Sequence, residues 1–129
     1  MNMEYSAINT SPTINLAAAE ALKAPQAVAL TLTASGVKLP AAGGDVVGIA
    51  LPSNADTVAA GDGVDIQVTG LGKIVAGGAF DAGDLLAADA EGKAIKAATG
   101  NVVIARAIDA ATAAGDLVNV QILVAGAKA

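Results

Sequence analysis

The chain has 129 residues, 54% hydrophobic but only 2% aromatic and 15% charged, with a net charge of −5 and neither histidine nor cysteine. That length makes a single domain, and an acidic chain whose seven basic residues are scattered without a run excludes a nucleic-acid partner held through its phosphates. The missing cysteines exclude a disulfide framework and thiolate metal sites, and no window is long and apolar enough to span a bilayer.

Residues 1–16 are mostly polar, with sparse apolar side chains at Tyr5, Ile8, Ile14 and Leu16. Two readings stay open: an unstructured leader, or an extended arm whose few apolar residues dock on another subunit. The opening Met1-Asn2-Met3-Glu4-Tyr5-Ser6 lacks the basic region and apolar run of a secretory signal. The Ala-, Leu-, Glu- and Lys-rich stretch Leu16–Lys23 favours one or two helical turns, which Pro25 then stops. We therefore divide the chain into an N-terminal arm over residues 1–24 and a β-rich body over residues 25–129.

From Val28 the apolar period becomes two, the spacing of a strand with one buried face. Val28, Leu30 and Leu32 share one face; Val47, Ile49 and Leu51 another; Val64, Ile66 and Val68 a third, with Asp65, Gln67 and Thr69 opposite. Lys73–Ala76 predicts a short strand, and Leu85–Ala88 with Ala94–Ala97 predicts a hairpin about Glu91-Gly92-Lys93. A strand over Val102–Ile108 and a last one with Val118, Val120, Ile122 and Val124 on one face follow. Four Gly-Asp pairs, Gly44-Asp45, Gly61-Asp62, Gly83-Asp84 and Gly115-Asp116, each precede an apolar run. Glycine supplies the positive φ of a tight turn, and aspartate can bond backbone amides just beyond it. Many short strands with regular turns predict an all-β fold, a compact small β-barrel or sandwich with at most one short helix.

Little in this chain suits catalysis. Without histidine or cysteine, the serines and threonines lack an imidazole to activate them. The acids of Asp81–Glu91 do not match the spacing of a calcium loop and read as solvated turn residues. Gly70-Leu71-Gly72 and Gly77-Gly78 lack the lysine-bearing helix of a phosphate loop. We expect no catalytic residue, no cofactor and no metal. Phe80, the one phenylalanine, reads as a core anchor. Arg106, the one arginine, shares strand parity with Val102, Ile104 and Ile108. It is either buried with a partner carboxylate, as a subunit-interface charge, or turned to solvent by a bulge or an edge strand.

The run Val75-Ala76-Gly77-Gly78-Ala79-Phe80-Asp81-Ala82-Gly83-Asp84-Leu85-Leu86 is followed by Asp89-Ala90-Glu91-Gly92-Lys93-Ala94 and Ala98-Thr99-Gly100. Ile104-Ala105-Arg106-Ala107 and Ala114-Gly115-Asp116-Leu117-Val118-Asn119-Val120 complete the series. In order and spacing these resemble the capsid cement, or head decoration, proteins of tailed bacteriophages, over Val68–Val124. The resemblance implies a non-enzymatic, β-rich virion protein, commonly a homotrimer. It implies synthesis in the host cytoplasm, binding to the major capsid protein on the outer surface of the expanded shell, and reinforcement of capsomer contacts. It also implies a capsid-contacting arm, here Tyr5, Ile8, Ile14 and Leu16. A thin, alanine-rich core and few charges suit a subunit that completes its burial in a symmetric assembly.

The alternative is a head-fibre or host-surface module that recognises carbohydrate. Its candidate side chains are Tyr5, Asn101, Asn119 and Gln121, a meagre set, because sugar sites usually present several exposed aromatics.

Overall fold

The computed structural model describes residues 12–123. All of the regular structure in that span is β: β1 (Thr13–Ala17), β2 (Leu22–Lys23), β3 (Ala29–Thr33), β4 (Gly36–Lys38), β5 (Gly48–Ala50), β6 (Thr57–Val58), β7 (Gly63–Gln67), β8 (Gly70–Val75), β9 (Leu85–Ala88), β10 (Ala94–Lys96), β11 (Ala105–Ala107) and β12 (Leu117–Ile122). The first sheet has the order β1-β7-β5-β3-β4, the second β10-β9-β11-β12-β8, and β2 pairs with β6. All strand pairs are antiparallel. Single bridges, Ala18 to Val37 and Ala76 to Ala94, draw the ends of each five-stranded sheet together without closing a barrel. Of the two expected architectures, the sandwich is the one adopted.

Each Gly-Asp pair does launch a strand, respectively β5, β7, β9 and β12. In Ala59–Asp62, Asp81–Asp84 and Ala113–Asp116 the amide of the aspartate donates to the carbonyl three residues earlier, at 3.0, 3.1 and 3.4 Å. The glycine third in each turn has φ of 91°, 89° and 97°, the position at which a type II turn demands φ > 0. In the fourth case the turn sits one residue earlier, over Ala41–Gly44, with the positive φ at Gly43. The aspartates reach backward rather than forward: Asp84 Oδ2 accepts from the Asp81 amide at 2.9 Å, and Asp116 Oδ2 from the Thr112 and Ala113 amides at 2.9 and 3.3 Å. Asn101 repeats the device on Ala98 at 2.8 Å.

The stretch expected to begin as a helix, Leu16–Lys23, instead ends β1 and forms β2. Tertiary pairing overrides its helix propensity: β1 lies along β7 from Thr13 opposite Gln67 to Ala17 opposite Gly63. The alternation expected of Val28, Leu30 and Leu32 also breaks. Ala29 and Leu30 are both buried while Leu32 is exposed, because β3 separates two apolar clusters. Ala29 belongs to one, with Ile49, Ile74, Phe80, Leu86, Ile104 and Val120; Leu30 belongs to the other, with Val37, Val58, Val64 and Ile66. The expected strand over Val102–Ile108 is regular only at β11, although Val102, Val103 and Ile104 are all buried. Phe80 is buried, as expected of the one phenylalanine in a chain so poor in aromatics.

Candidate functional site

The outer face of the second sheet is built from side chains that its core leaves behind. Along β12, Val118, Val120 and Ile122 point inward, so Leu117, Asn119 and Gln121 point out. Register then carries the outward row across four strands: Leu85 on β9 opposes Arg106, Arg106 opposes Gln121, and Gln121 opposes Leu71 on β8. A second row pairs Asn119 with Lys73, with the Ile108 amide donating to the Asn119 carbonyl at 3.0 Å. Leu117 opposite Val75 makes the third. Leu71 is 72% exposed, Leu117 54%, Ile108 48% and Leu85 39%. Four of the six exposed large aliphatic side chains among the described residues therefore share this one sheet face, a concentration characteristic of interaction surfaces.

Its charges are few. Asp109 Oδ2 accepts from the Asn119 side-chain amide at 2.8 Å and its backbone amide at 3.2 Å, while Lys73 Nζ donates to Asn119 Oδ1 at 3.0 Å. That network leaves Arg106 apart. Among the described residues its guanidinium has no carboxylate within ion-pair distance; the two ion pairs there are Lys93–Glu91 and Lys96–Asp84, each at 3.9 Å. Ala105 and Ala107 on either side are buried and Arg106 is exposed. Within the chain Arg106 therefore faces outward, from a central strand and not an edge. The parity with Ile104 fails because adjacent Ile104 and Ala105 are both buried, which shifts the following alternation by one.

The other sequence-predicted residues lie elsewhere. Tyr5 and Ile8 fall outside the described residues. Ile14 and Leu16 sit on β1, half-buried, packed on the cluster that holds Val64 and Ile66. Nothing brings them to Arg106, which belongs to the other sheet. Of the amides considered for sugar binding, Asn101 is committed to its own turn and Asn119 to Asp109 and Lys73. The acids of Asp81–Glu91 serve the backbone: Asp89 Oδ1 accepts from the Glu91 and Lys93 amides, both at 2.9 Å. Among the described residues, no three acidic side chains gather as a metal site would require. Sequence reasoning missed Leu71, Leu85, Ile108 and Leu117 as a set. The outward parity of Leu117 on β12 was readable, but the convergence of the four depends on a strand order that no local pattern encodes.

The profile of the phage cement proteins matches residues 8–122, and the chain belongs to that family of phage structural proteins. No curated protein matches it. Among solved structures it is similar to the head fibre gp8.5 N base of bacteriophage phi29, with a TM-score of 0.62 at 18% identity, covering 91% of this chain and 98% of that one. At that identity the likeness speaks to the fold.

Proposed function

We propose that this protein binds the outside of the expanded phage capsid as a homotrimer and reinforces the contacts between major capsid protein capsomers, without enzymatic activity. The family match over residues 8–122 carries the reading. The outer face of the second sheet supplies the contact. It offers two cations, Arg106 and Lys73, and one carboxylate, Asp109, already engaged by Asn119. On a chain of net charge −5, that local excess of positive charge selects a shell surface presenting a carboxylate among apolar side chains. Arginine is enriched among the few residues that carry most of an interface's binding energy. The leading segment, with Tyr5 and Ile8, adds a second contact to the shell, anchored through Ile14 and Leu16 on β1.

Repetition over a lattice makes a modest contact per copy sufficient. The test is to titrate expanded heads with wild type and with Arg106→Glu combined with Leu85→Asp. Both side chains are outward, so the variant should keep its fold. Decoration should weaken by at least about tenfold for a charge reversal at a contact. Unchanged decoration would remove this face from the proposal.

A further inference from the structure

Asp62-Gly63 is the one aspartyl-glycyl bond in the chain. It lies where the turn at Gly61 runs into β7, and both of its residues are exposed. The side chains of Asp56, Asp65, Asp84, Asp89, Asp109 and Asp116 are each held by a hydrogen bond. That of Asp62 has neither a hydrogen bond nor an ion pair among the described residues.

The peptide group between the two residues is polarised on one side and open on the other. The Asp62 carbonyl accepts the Ala18 amide at 2.8 Å, and the Val68 amide donates to the Pro12 carbonyl at 2.7 Å, so the even-numbered residues of β7 turn their backbone groups to β1. The Gly63 N–H therefore points away from β1. On that side Ile66 is the last β7 residue paired with β5. The Asp65 groups go to the Leu51 amide at 3.0 Å and to Asn54 Oδ1 at 2.9 Å. Past them, no ladder or turn bond takes the Gly63 N–H among the described residues. A donor on the Asp62 carbonyl oxygen stabilises the negative charge that gathers there when this nitrogen gives up its proton. Glycine also puts no Cβ beside the nitrogen, and an added one would meet the Asn15 side chain.

We propose that Asp62-Gly63 is a site of spontaneous isoaspartate formation in the folded protein. The Gly63 nitrogen bonds to Asp62 Cγ and releases its proton to solvent. The hydroxyl of the protonated carboxyl leaves with a proton as water, closing a cyclic imide. Water then opens the ring: at the side-chain carbonyl it restores aspartate, and at the main-chain carbonyl it leaves the backbone running through Cβ and Cγ. One water is lost and one regained, so mass is unchanged and no other reagent is consumed. The product lengthens the backbone ahead of β7 and replaces the Asp62 main-chain carbonyl by a free carboxylate. It thereby disrupts the paired bonds in which Ala18 donates to Asp62 and accepts the Gly61 amide at 2.9 Å. Ala18 also bridges Val37, and the Ala19 amide donates to the Val37 carbonyl at 2.8 Å. Conversion therefore loosens the seam that draws the ends of the first sheet together. It does so whether or not the chain is bound to a shell.

The folded full chain is aged at neutral pH, digested with trypsin, and the peptide Leu39–Lys73 is sequenced by electron-transfer fragmentation. Isoaspartate should accumulate at Asp62 and not at Asp45, Asp56 or Asp65, with loss of endoproteinase Asp-N cleavage before that residue alone. Asp62→Asn should convert faster through the same ring, expelling ammonia and showing the mass gain of deamidation; Asp62→Ala should abolish the product. In the converted fraction, amide exchange at Ala18 and Ala19 should speed by roughly tenfold or more, with β8–β12 unchanged. Absence of isoaspartate from the folded chain, its formation only in urea, or equal conversion at the other three aspartates would overturn the site. Conversion with unchanged exchange at Ala18 and Ala19 would overturn its effect on the seam.

Discussion

Single residues carry the turns, and Gly92 is among the most constrained of them. Its φ is 77°, and an added Cβ would meet the Ala29 carbonyl oxygen, with the Ala29 nitrogen at 3.0 Å. The Gly92 carbonyl itself accepts the Ala29 amide at 2.7 Å, tying the β9–β10 turn to β3. Gly92→Ala should therefore destabilise by about 1–3 kcal/mol, read as a lower urea midpoint at unchanged slope. Asp116 adds a pH-dependent contribution. The Thr112 amide, then the Thr112 hydroxyl and the Ala113 amide, favour its charged form and hold its carboxyl below the ordinary value. A depressed folded pKa contributes stability that is complete above the unfolded value, about 3.9, and is lost as pH falls through the folded one. Asp116→Asn keeps an acceptor oxygen without the charge. The stability difference between wild type and this variant should be constant near neutrality and close on acidification. A difference independent of pH would contradict that reading. The Gly-Asp turns were legible in sequence because a turn is local. The direction in which Asp84 and Asp116 reach was misread as forward, because the amides before and after an aspartate are equally near in the chain.

At the level of elements, the loops do as much joining as the strands. Asn54, half-buried after β5, donates to the carbonyls of Pro25, Leu51 and Asp65 at 3.0, 3.1 and 2.9 Å and accepts the Asp65 amide at 2.9 Å. Gln26 completes the link by donating to the Asn54 carbonyl at 2.7 Å. Asn54→Ala leaves several of these groups unpaired, at a cost of about 1–3 kcal/mol, measurable by thermal or urea unfolding. Removing residues 1–11 spares β1, whereas removing residues 1–16 strips the partner from one side of β7 and should lower stability further. Strand alternation was readable where a strand faces one core, as at Val64 and Ile66 or Val118 and Val120. It misled at β3, which touches two apolar clusters, and at Ile104-Ala105, where the backbone changes face. The Leu16–Lys23 stretch misled for a related reason: its pairing partners, β7 and β6, lie some forty residues away.

For the whole molecule, the apolar interior is close but thin. Seven of the sixteen residues in the larger cluster are alanines, so its few large side chains matter disproportionately; Leu86→Ala should cost about 2–5 kcal/mol. Meanwhile Leu71, Leu85, Ile108 and Leu117 remain on the surface around an Arg106 that has no carboxylate partner among the described residues. A chain short of large apolar side chains that still exposes four on one sheet face is built for a partner. Membership of the phage cement family says where to look for it. The most direct measurement is to mix the purified protein with expanded and unexpanded heads of its own phage and pellet both. Binding to a shell should bring the protein down at saturating stoichiometry with the expanded heads and leave it in the supernatant with the unexpanded ones. A protein that stays in solution with both would contradict a role in cementing the capsid.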